Sequence, residues 1–256
     1  MRKILLRSCL ASGMILLAGC GKRESIPVPV FLPLAEGSQI KYVSYVTDSL
    51  RRIQHALEYF PRYYVRSDSS TAVKRHYYIE NNKLNSYSVD PQGRITLQVQ
   101  VDLATYAAAA GFPYGMPVFF SYPRLAFDKT RGVGTTWSVR ADTQFIVVDA
   151  EKNARALEFG YRGEARLEGW SEVTVPASHG QKLKVLDVRW PLLLNYLRDR
   201  ASGDTLWVQR GEGHEYFDPR FGLARSTNNY TIRKKSEAPV YRQSTLDLYL
   251  MIIPSK

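Results

Sequence analysis

Two stretches of the chain alternate apolar and polar residues with a period of two. In 94–103, RITLQVQVDL, every second side chain from Ile95 to Leu103 is apolar. In 157–167, LEFGYRGEARL, apolar side chains alternate with charged ones in the same way. A strand with one dry and one wet face shows this period, whereas an amphipathic helix repeats about every 3.6 residues. The alternation therefore predicts antiparallel strands.

Shorter segments of the same kind recur along the chain between turn-forming residues. Further strand candidates occupy 40–47, 73–80, 84–89, 143–148, 171–175, 182–189, 205–210 and 223–232. Turn signals separate them at 81–82, 90–93, 202–204 and 218–222, where Asn, Asp, Gly and Pro accumulate. We expect a mainly β fold, in which an antiparallel meander forms a curved sheet, half-barrel or sandwich with a few short helices.

The segment 103–120, LATYAAAAGFPYGMPVFF, is almost wholly apolar. Its glycines and prolines argue against a membrane-spanning helix and favour a short helix over 103–110 followed by a loop. Two interpretations remain open: a permanent part of the core, or a movable hydrophobic lid. In the second, a hydrophobic ligand contacts four candidate residues: Phe112, Met116, Phe119 and Phe120.

Helix is also predicted at two other places. In 190–200, WPLLLNYLRDR, Pro191 suits a first helical turn and the leucines that follow share a face, which predicts a helix over 191–199. A strand interrupted at Pro191 is the alternative. A third short helix is expected over 50–58.

The N-terminus carries an export signal. A positively charged start precedes a short apolar run that ends in Leu17-Ala18-Gly19-Cys20. This resembles the lipobox of bacterial lipoproteins, and the resemblance covers only the first twenty residues. It implies that 1–19 is a signal peptide, removed by cleavage just before Cys20, and that Cys20 carries the lipid anchor.

The chain has only two cysteines, Cys9 and Cys20. The lipoprotein resemblance implies that cleavage removes the first and acylation consumes the second, so thiol catalysis, disulfides and cysteine-ligated zinc are not expected. Residues 20–33 then form the lipidated cysteine and a proline-rich tether. Gly21, where inner-membrane lipoproteins often carry Asp, favours the outer membrane facing the periplasm.

The remaining chain, 34–256, is expected to form a β-rich domain, and a faint internal repeat raises the question of its subdivision. Residues 32–45 resemble 122–139 in the order Pro, Leu, Gly and an aromatic-bearing strand. One interpretation is two related β-meander units, 34–120 and 121–256, and the other is coincidence among common turn and strand residues.

Motifs for catalysis are absent from the sequence. It contains no GxSxG elbow, no HExxH, no P-loop and no dinucleotide fingerprint, and its four histidines lie in separate segments. The densest polar cluster is 213–218, GHEYFD, whose alternation predicts His214 and Tyr216 on one face and Glu215 on the other. We expect no cofactor, no metal site and no enzymatic activity.

A formal net charge of +11 points to acidic partners. The export signal argues against nucleic acid and favours anionic lipid, a glycan or another envelope protein.

The meander, the anchor and the apolar segment together are similar to the half-barrel lipoprotein carriers of the Lol type, which implies a hydrophobic cavity under short helices. The resulting hypothesis is a lipid-anchored envelope protein that binds a lipid, acyl chain or envelope polymer. The alternatives are an interaction subunit of an envelope assembly without a small ligand, and, with less support, a hydrolase.

Overall fold

The computed structural model describes residues 39–252, except for positions 49, 51–52, 60–61, 68–73, 81–82, 91, 93, 113–116, 129, 221 and 236. The predicted signal peptide, Cys20 and the tether lie outside these residues. In chain order the strands and helices are β1 Gln39–Thr47, β2 Ile53–Tyr59, β3 Arg62–Ser67, β4 Lys74–Glu80, β5 Lys83–Val89, β6 Arg94–Asp102, α1 Leu103–Ala109, β7 Phe119–Asp128, β8 Thr136–Val148, β9 Ala154–Val173, a 3-10 turn Pro176–Ser178, β10 Leu183–Asp199, β11 Thr205–Asp218, β12 Gly222–Lys234 and β13 Val240–Ile252.

The strands form one antiparallel sheet in the order β7-β6-β5-β4-β3-β1-β13-β12-β11-β10-β9-β8, and β2 pairs with β1. Most neighbours are consecutive in the chain, as in a meander. The exception is β1, which pairs with β13 over nine registered positions, among them Val43 opposite Asp247. Strands β7 and β8 stand at the two ends of this order, so the sheet is open. The expectation of a mainly β, antiparallel fold is confirmed.

The two clearest alternating stretches lie where the pattern predicts strands. Residues 94–102 form β6, and 157–167 fall within β9, the longest strand among the described residues at 20 residues. Along β9 the side chains from Leu157 to Leu167 at odd positions are buried, and most of the intervening ones are exposed. This buried face of β9, and the face of each other strand continuous with it, is called the inner face below.

The helix predicted over 103–110 is confirmed as α1. Asp102 caps its N-terminus, because its carboxylate accepts hydrogen bonds from the backbone N–H of Ala104 and the hydroxyl of Thr105. The alanine-rich segment has high helix propensity, and the helix buries Leu103, Ala104 and Ala107. No helix among the described residues is long and apolar enough to cross a membrane.

The other two helix predictions are wrong. The segment predicted as a helix over 50–58 contains β2, whose residue 55 lies opposite Val46 of β1. The segment 191–199 is the second half of β10, with β9 on one side and β11 on the other. A shift of register between Trp190 and Leu193 accommodates Pro191, which has no N–H to donate. Pairing on both sides stabilises the strand more than the local leucine pattern stabilises a helix.

The sheet curves until β6 and β7 cover the inner face of β8 to β12. The Trp137 indole N–H donates to the carbonyl of Leu125 at 2.9 Å, and the rings of Tyr122 and Tyr161 stack with centroids 5.1 Å apart. Phe127 of β7 approaches Phe217 of β11 with ring centroids 6.5 Å apart. These contacts join distant strands of the sheet order around a shared interior.

The interior contains two apolar clusters. The first core includes Ile40, Tyr42, Ile95, Phe127, Trp137, Leu167, Val185, Leu186, Val188, Trp190 and Phe217. The second core consists of Leu103, Ala107, Tyr122, Leu157, Phe159, Tyr161, Leu197 and Trp207. Helix α1 closes the second core with Tyr106, whose ring centroid lies 4.9 Å from those of Phe159 and Trp207.

Candidate functional site: a cavity with one polar wall

A cavity of about 400 Å³ lies in the interior where the two cores meet. Its described lining residues are Leu97, Val99, Tyr122, Arg124, Tyr161, Leu193, Asn195, Gln209, Glu215, Leu223, Ser226, Asn228, Tyr230, Ser244 and Leu246. Leu97 packs against the first core, Val99 packs against the second, and Leu193 packs against both. The cavity is therefore a gap in the packing of the sheet on itself.

Glycines on the inner face allow polar side chains of the lining to lie close to the backbone of β9 and β11. A Cβ at Gly163 of β9 would lie 2.5 Å from the hydroxyl oxygen of Tyr161, and one at Gly213 of β11 would lie 2.2 Å from Oδ1 of Asn228. The Tyr161 and Asn228 side chains thus occupy the space that a side chain at Gly163 or Gly213 would need. Larger residues at these positions would displace the polar groups that line the cavity.

The lining combines apolar and polar groups. Its two side chains from β6, Leu97 and Val99, are apolar, and six polar side chains from β10 to β13 form what is called the polar wall below: Asn195, Gln209, Ser226, Asn228, Tyr230 and Ser244. Leu193, Leu223 and Leu246 come from three of these same strands and add apolar area. A ligand with one polar and one apolar part matches such a lining.

The lining contains one ion pair. Arg124 Nη2 of β7 donates to Glu215 Oε1 of β11 at 2.5 Å, and the Arg124 and Glu215 side chains are 14% and 7% exposed. The indole N–H of Trp190 donates to the other carboxylate oxygen at 3.0 Å, and the Arg124 guanidinium lies 4.8 Å from the centroid of the Trp190 ring. Both carboxylate oxygens thus have a donor, which is the condition under which a buried charge is tolerated.

The tyrosines beside the cavity are neutral at physiological pH. Burial raises the pKa of Tyr122, and nearby Tyr161 raises it further. Burial also raises the pKa of Tyr161, although the Arg124 guanidinium opposes this shift. In the second core, burial raises the pKa of Tyr106 to about 12. These phenols are therefore suited to contact and hydrogen bonding, and none of them is set up as a general base.

Of the four candidate ligand or lid residues, Phe112 and Phe120 pack against the second core and Phe119 is exposed. Phe120 of β7 faces inward, with its ring centroid 5.6 Å from that of Tyr122 and 6.3 Å from that of Phe159. Phe112 packs against the same core, and Phe119 is 47% exposed. Met116 lies outside the described residues. The structure thus places Phe112 and Phe120 beside helix α1, and their action as a movable cover stays a prediction.

The polar cluster 213–218 divides between the two faces as its alternation predicts. Glu215 points into the interior, while His214 and Tyr216 stack on the outer face with ring centroids 5.7 Å apart. His214 Nδ1 lies 2.8 Å from Asp187 Oδ1, and this hydrogen bond raises the pKa of the imidazole, against a smaller opposing effect of burial. The pair lies on the outer face of the sheet, opposite the cavity that Glu215 lines.

Sequence reasoning missed the ion pair and the polar wall. The inward position of Glu215 was available as a signal, because a charge on an apolar face requires a partner. Its partner Arg124 is 91 residues away in the chain, and no local pattern connects the two.

Comparisons of the chain with protein-family models, with curated proteins and with solved structures found no match. The described residues hold no group of three or more His, Cys, Asp or Glu side chains placed to bind a metal ion.

Proposed function

We propose that this protein is a lipid-anchored, non-enzymatic protein of the cell envelope that binds a lipid, an acyl chain or a segment of an envelope polymer in the cavity between its two cores. The observation that carries the proposal is the cavity of about 400 Å³ whose lining is apolar on β6 and combines six polar side chains with three leucines on β10 to β13. Its size falls within the range of about 300–1,000 Å³ that small-molecule sites occupy.

The chemistry of the lining favours an amphiphile over a purely polar ligand. Leu97 and Val99 of β6 offer aliphatic contact on one side, and burying apolar ligand area there contributes about 25 cal/mol per Å². The amide and hydroxyl side chains on the opposite wall fix the orientation of a polar group. Helix α1 and Phe120 close the second core beside the cavity, where a hydrophobic cover is predicted.

The proposed location rests on the N-terminal sequence. The lipobox resemblance at Leu17-Ala18-Gly19-Cys20 supports an acyl anchor on Cys20, and Gly21 supports the outer membrane facing the periplasm. Metabolic labelling with a palmitate analogue tests this part separately. Equal labelling of the wild-type protein and Cys20→Ala would refute the lipid anchor.

The binding proposal is tested by photo-crosslinking in membranes. Membranes that contain the full chain are exposed to a diazirine-bearing fatty-acid probe, and the crosslinked residues are identified by fragmenting the labelled peptides in a mass spectrometer. We expect crosslinks at inner-face residues of β6 and β12. Ser244→Phe, which extends a ring into the cavity, should reduce them strongly, while Thr231→Phe on the exposed outer face of β12 serves as the matched control.

Two results would contradict the binding proposal. One is crosslinking confined to outer-face residues, and the other is equal loss of crosslinking in Ser244→Phe and Thr231→Phe. Either result would leave an interaction subunit without a small ligand as the better hypothesis.

A further inference from the structure

The polar wall of the cavity consists of neutral hydrogen-bonding groups. Asn195 and Gln209 lie opposite one another in the pairing of β10 with β11, and Asn228 and Ser244 do so in the pairing of β12 with β13. Their amides and hydroxyls both donate and accept hydrogen bonds. Two neighbouring pairs of strands thus present adaptable polar groups to the same space.

These groups are largely available to a ligand. Asn228 makes one long contact, from its Nδ2 to the hydroxyl oxygen of Ser226 at 3.4 Å. The side chains of Asn195, Gln209 and Ser244 form no hydrogen bond with another described side chain, and all three are only half-buried. A ligand with matching donors and acceptors can therefore satisfy them without breaking hydrogen bonds between described side chains.

The charges of the lining are already matched to each other. Of the described lining residues, Arg124 and Glu215 are the two charged ones, and they pair at 2.5 Å while Trp190 holds the second carboxylate oxygen. An anionic headgroup placed near Arg124 would also lie close to Glu215, which repels it, and a cationic headgroup placed near Glu215 would be repelled by Arg124 in the same way. A charged headgroup therefore loses its hydration without gaining a free counter-charge.

We infer that the cavity selects an amphiphile whose headgroup is uncharged and carries several hydroxyl groups, of the sugar or glycerol class. The hydroxyls of the headgroup bind the amides and hydroxyls of β10 to β13, and the hydrocarbon part lies against Leu97 and Val99. This inference rests on the proposed function and names the ligand class of the same site.

The test uses the full chain in phosphatidylcholine nanodiscs and two photoreactive probes with the same dodecyl chain. One probe is a dodecyl glucoside and the other a dodecyl phosphate, which is anionic at neutral pH. The measured quantity is the ratio of glucoside to phosphate crosslinking at residues that line the cavity. It is divided by the same ratio at exposed outer-face residues, so that unequal partitioning of the probes into the lipid cancels. We expect a preference for the glucoside of about tenfold.

Two variants separate the contributions of the polar wall and the ion pair. The double change Asn195→Leu with Gln209→Leu removes two amides at similar volume and should bring the ratio close to one. Glu215→Gln keeps the shape and the acceptor for Trp190 but leaves the Arg124 charge unmatched, so it should shift the preference toward the phosphate. Arg210→Leu, next to Gln209 on the exposed outer face, is the control and should keep the wild-type ratio.

The outcomes distinguish this inference from the proposed function. If both probes crosslink in the cavity at equal yield, or the phosphate does so better, the neutral headgroup is refuted and the binding function stands. If neither probe crosslinks there, the proposed function fails. An excess of a soluble glucose oligomer that removes glucoside crosslinking would support the same chemistry with a free glycan as its source, whereas no competition would assign it to a glycolipid.

Discussion

Arg124→Met tests whether the ion pair inside the sheet is electrostatically isolated from water. The substitution leaves the Glu215 carboxylate, which is 7% exposed, with the Trp190 indole N–H as its remaining hydrogen-bond donor among the described side chains. Breaking a buried pair on one side costs about 3–5 kcal/mol. Because the pair borders a cavity that admits water, we expect the lower end, about 3 kcal/mol.

The double variant Arg124→Met with Glu215→Gln removes both charges and keeps an acceptor for the Trp190 N–H. Replacing a buried pair by neutral groups of similar volume changes stability little, so the free energy of unfolding of this variant should lie within about 1 kcal/mol of the wild-type value. The cycle formed with the two single variants should give a coupling energy of at least about 2 kcal/mol, because Arg124→Met alone is expected to be more destabilising than the double variant by that amount. Arg140→Met, which breaks an exposed pair with Asp142, is the matched control and should cost below about 1 kcal/mol.

Thermal unfolding of the full chain provides the measurement. For a protein of this size, 1 kcal/mol corresponds to about 2–4 °C in Tm, so Arg124→Met should lower Tm by about 6–12 °C. Additive single variants, or a Tm for Arg124→Met equal to that for Arg140→Met, would show that water in the cavity screens the pair. The charge-matching step of the ligand inference would then lose its basis.

Three further outcomes follow from the described contacts. The hydrogen bond to Asp187 raises the pKa of His214 above 6.5. The stability that this pair contributes is therefore complete below pH 6.5 and is lost as the pH rises through the pKa of the folded state, so His214→Gln should lower the free energy of unfolding more in mildly acidic than in mildly alkaline buffer. The effect should stay below about 1 kcal/mol because the imidazole is partly exposed, and an NMR titration that places this pKa at or below the ordinary value would refute the pairing. Asp102→Ala should lower the free energy of unfolding, measured by chemical denaturation, by about 0.5–2 kcal/mol through loss of the α1 cap. An unchanged denaturation midpoint would contradict a stabilising role for this cap. Phe119→Ser should change Tm little, because the ring is 47% exposed, whereas Phe120→Ser should cost about 3 kcal/mol; equal effects would contradict the inward position of Phe120.

Strand positions were predictable where one face of a strand is dry along its whole length. The alternation in 157–167 corresponds to the buried and exposed faces of β9, because a period of two is a property of the extended backbone itself. Helix α1 was also predictable, since a run of alanines after Asp102 supplies both propensity and a cap. Local chemistry decides these elements.

Residues 191–199 show where local chemistry is insufficient. The leucines around Asn195 fit one helical face, yet the backbone pairs with β9 and β11 on its two sides. Hydrogen bonds from two neighbouring strands outweigh a helix propensity that differs among ordinary residues by less than about 1 kcal/mol each. A window confined to 191–199 does not contain those neighbours, because they lie before and after the segment in the chain.

The sequence by itself determined that the chain forms antiparallel strands, that Glu215 and His214 face opposite sides, and that the N-terminus resembles a lipoprotein signal. Only the tertiary structure decided that the sheet curves over itself, that Arg124 meets Glu215, and that amide and hydroxyl groups of four strands converge on one cavity. The physical reason is the range of the forces involved. Alternation and capping act between residues a few positions apart, whereas the cavity depends on where β7 crosses β9 and β11, and that crossing is set by the packing of the whole sheet.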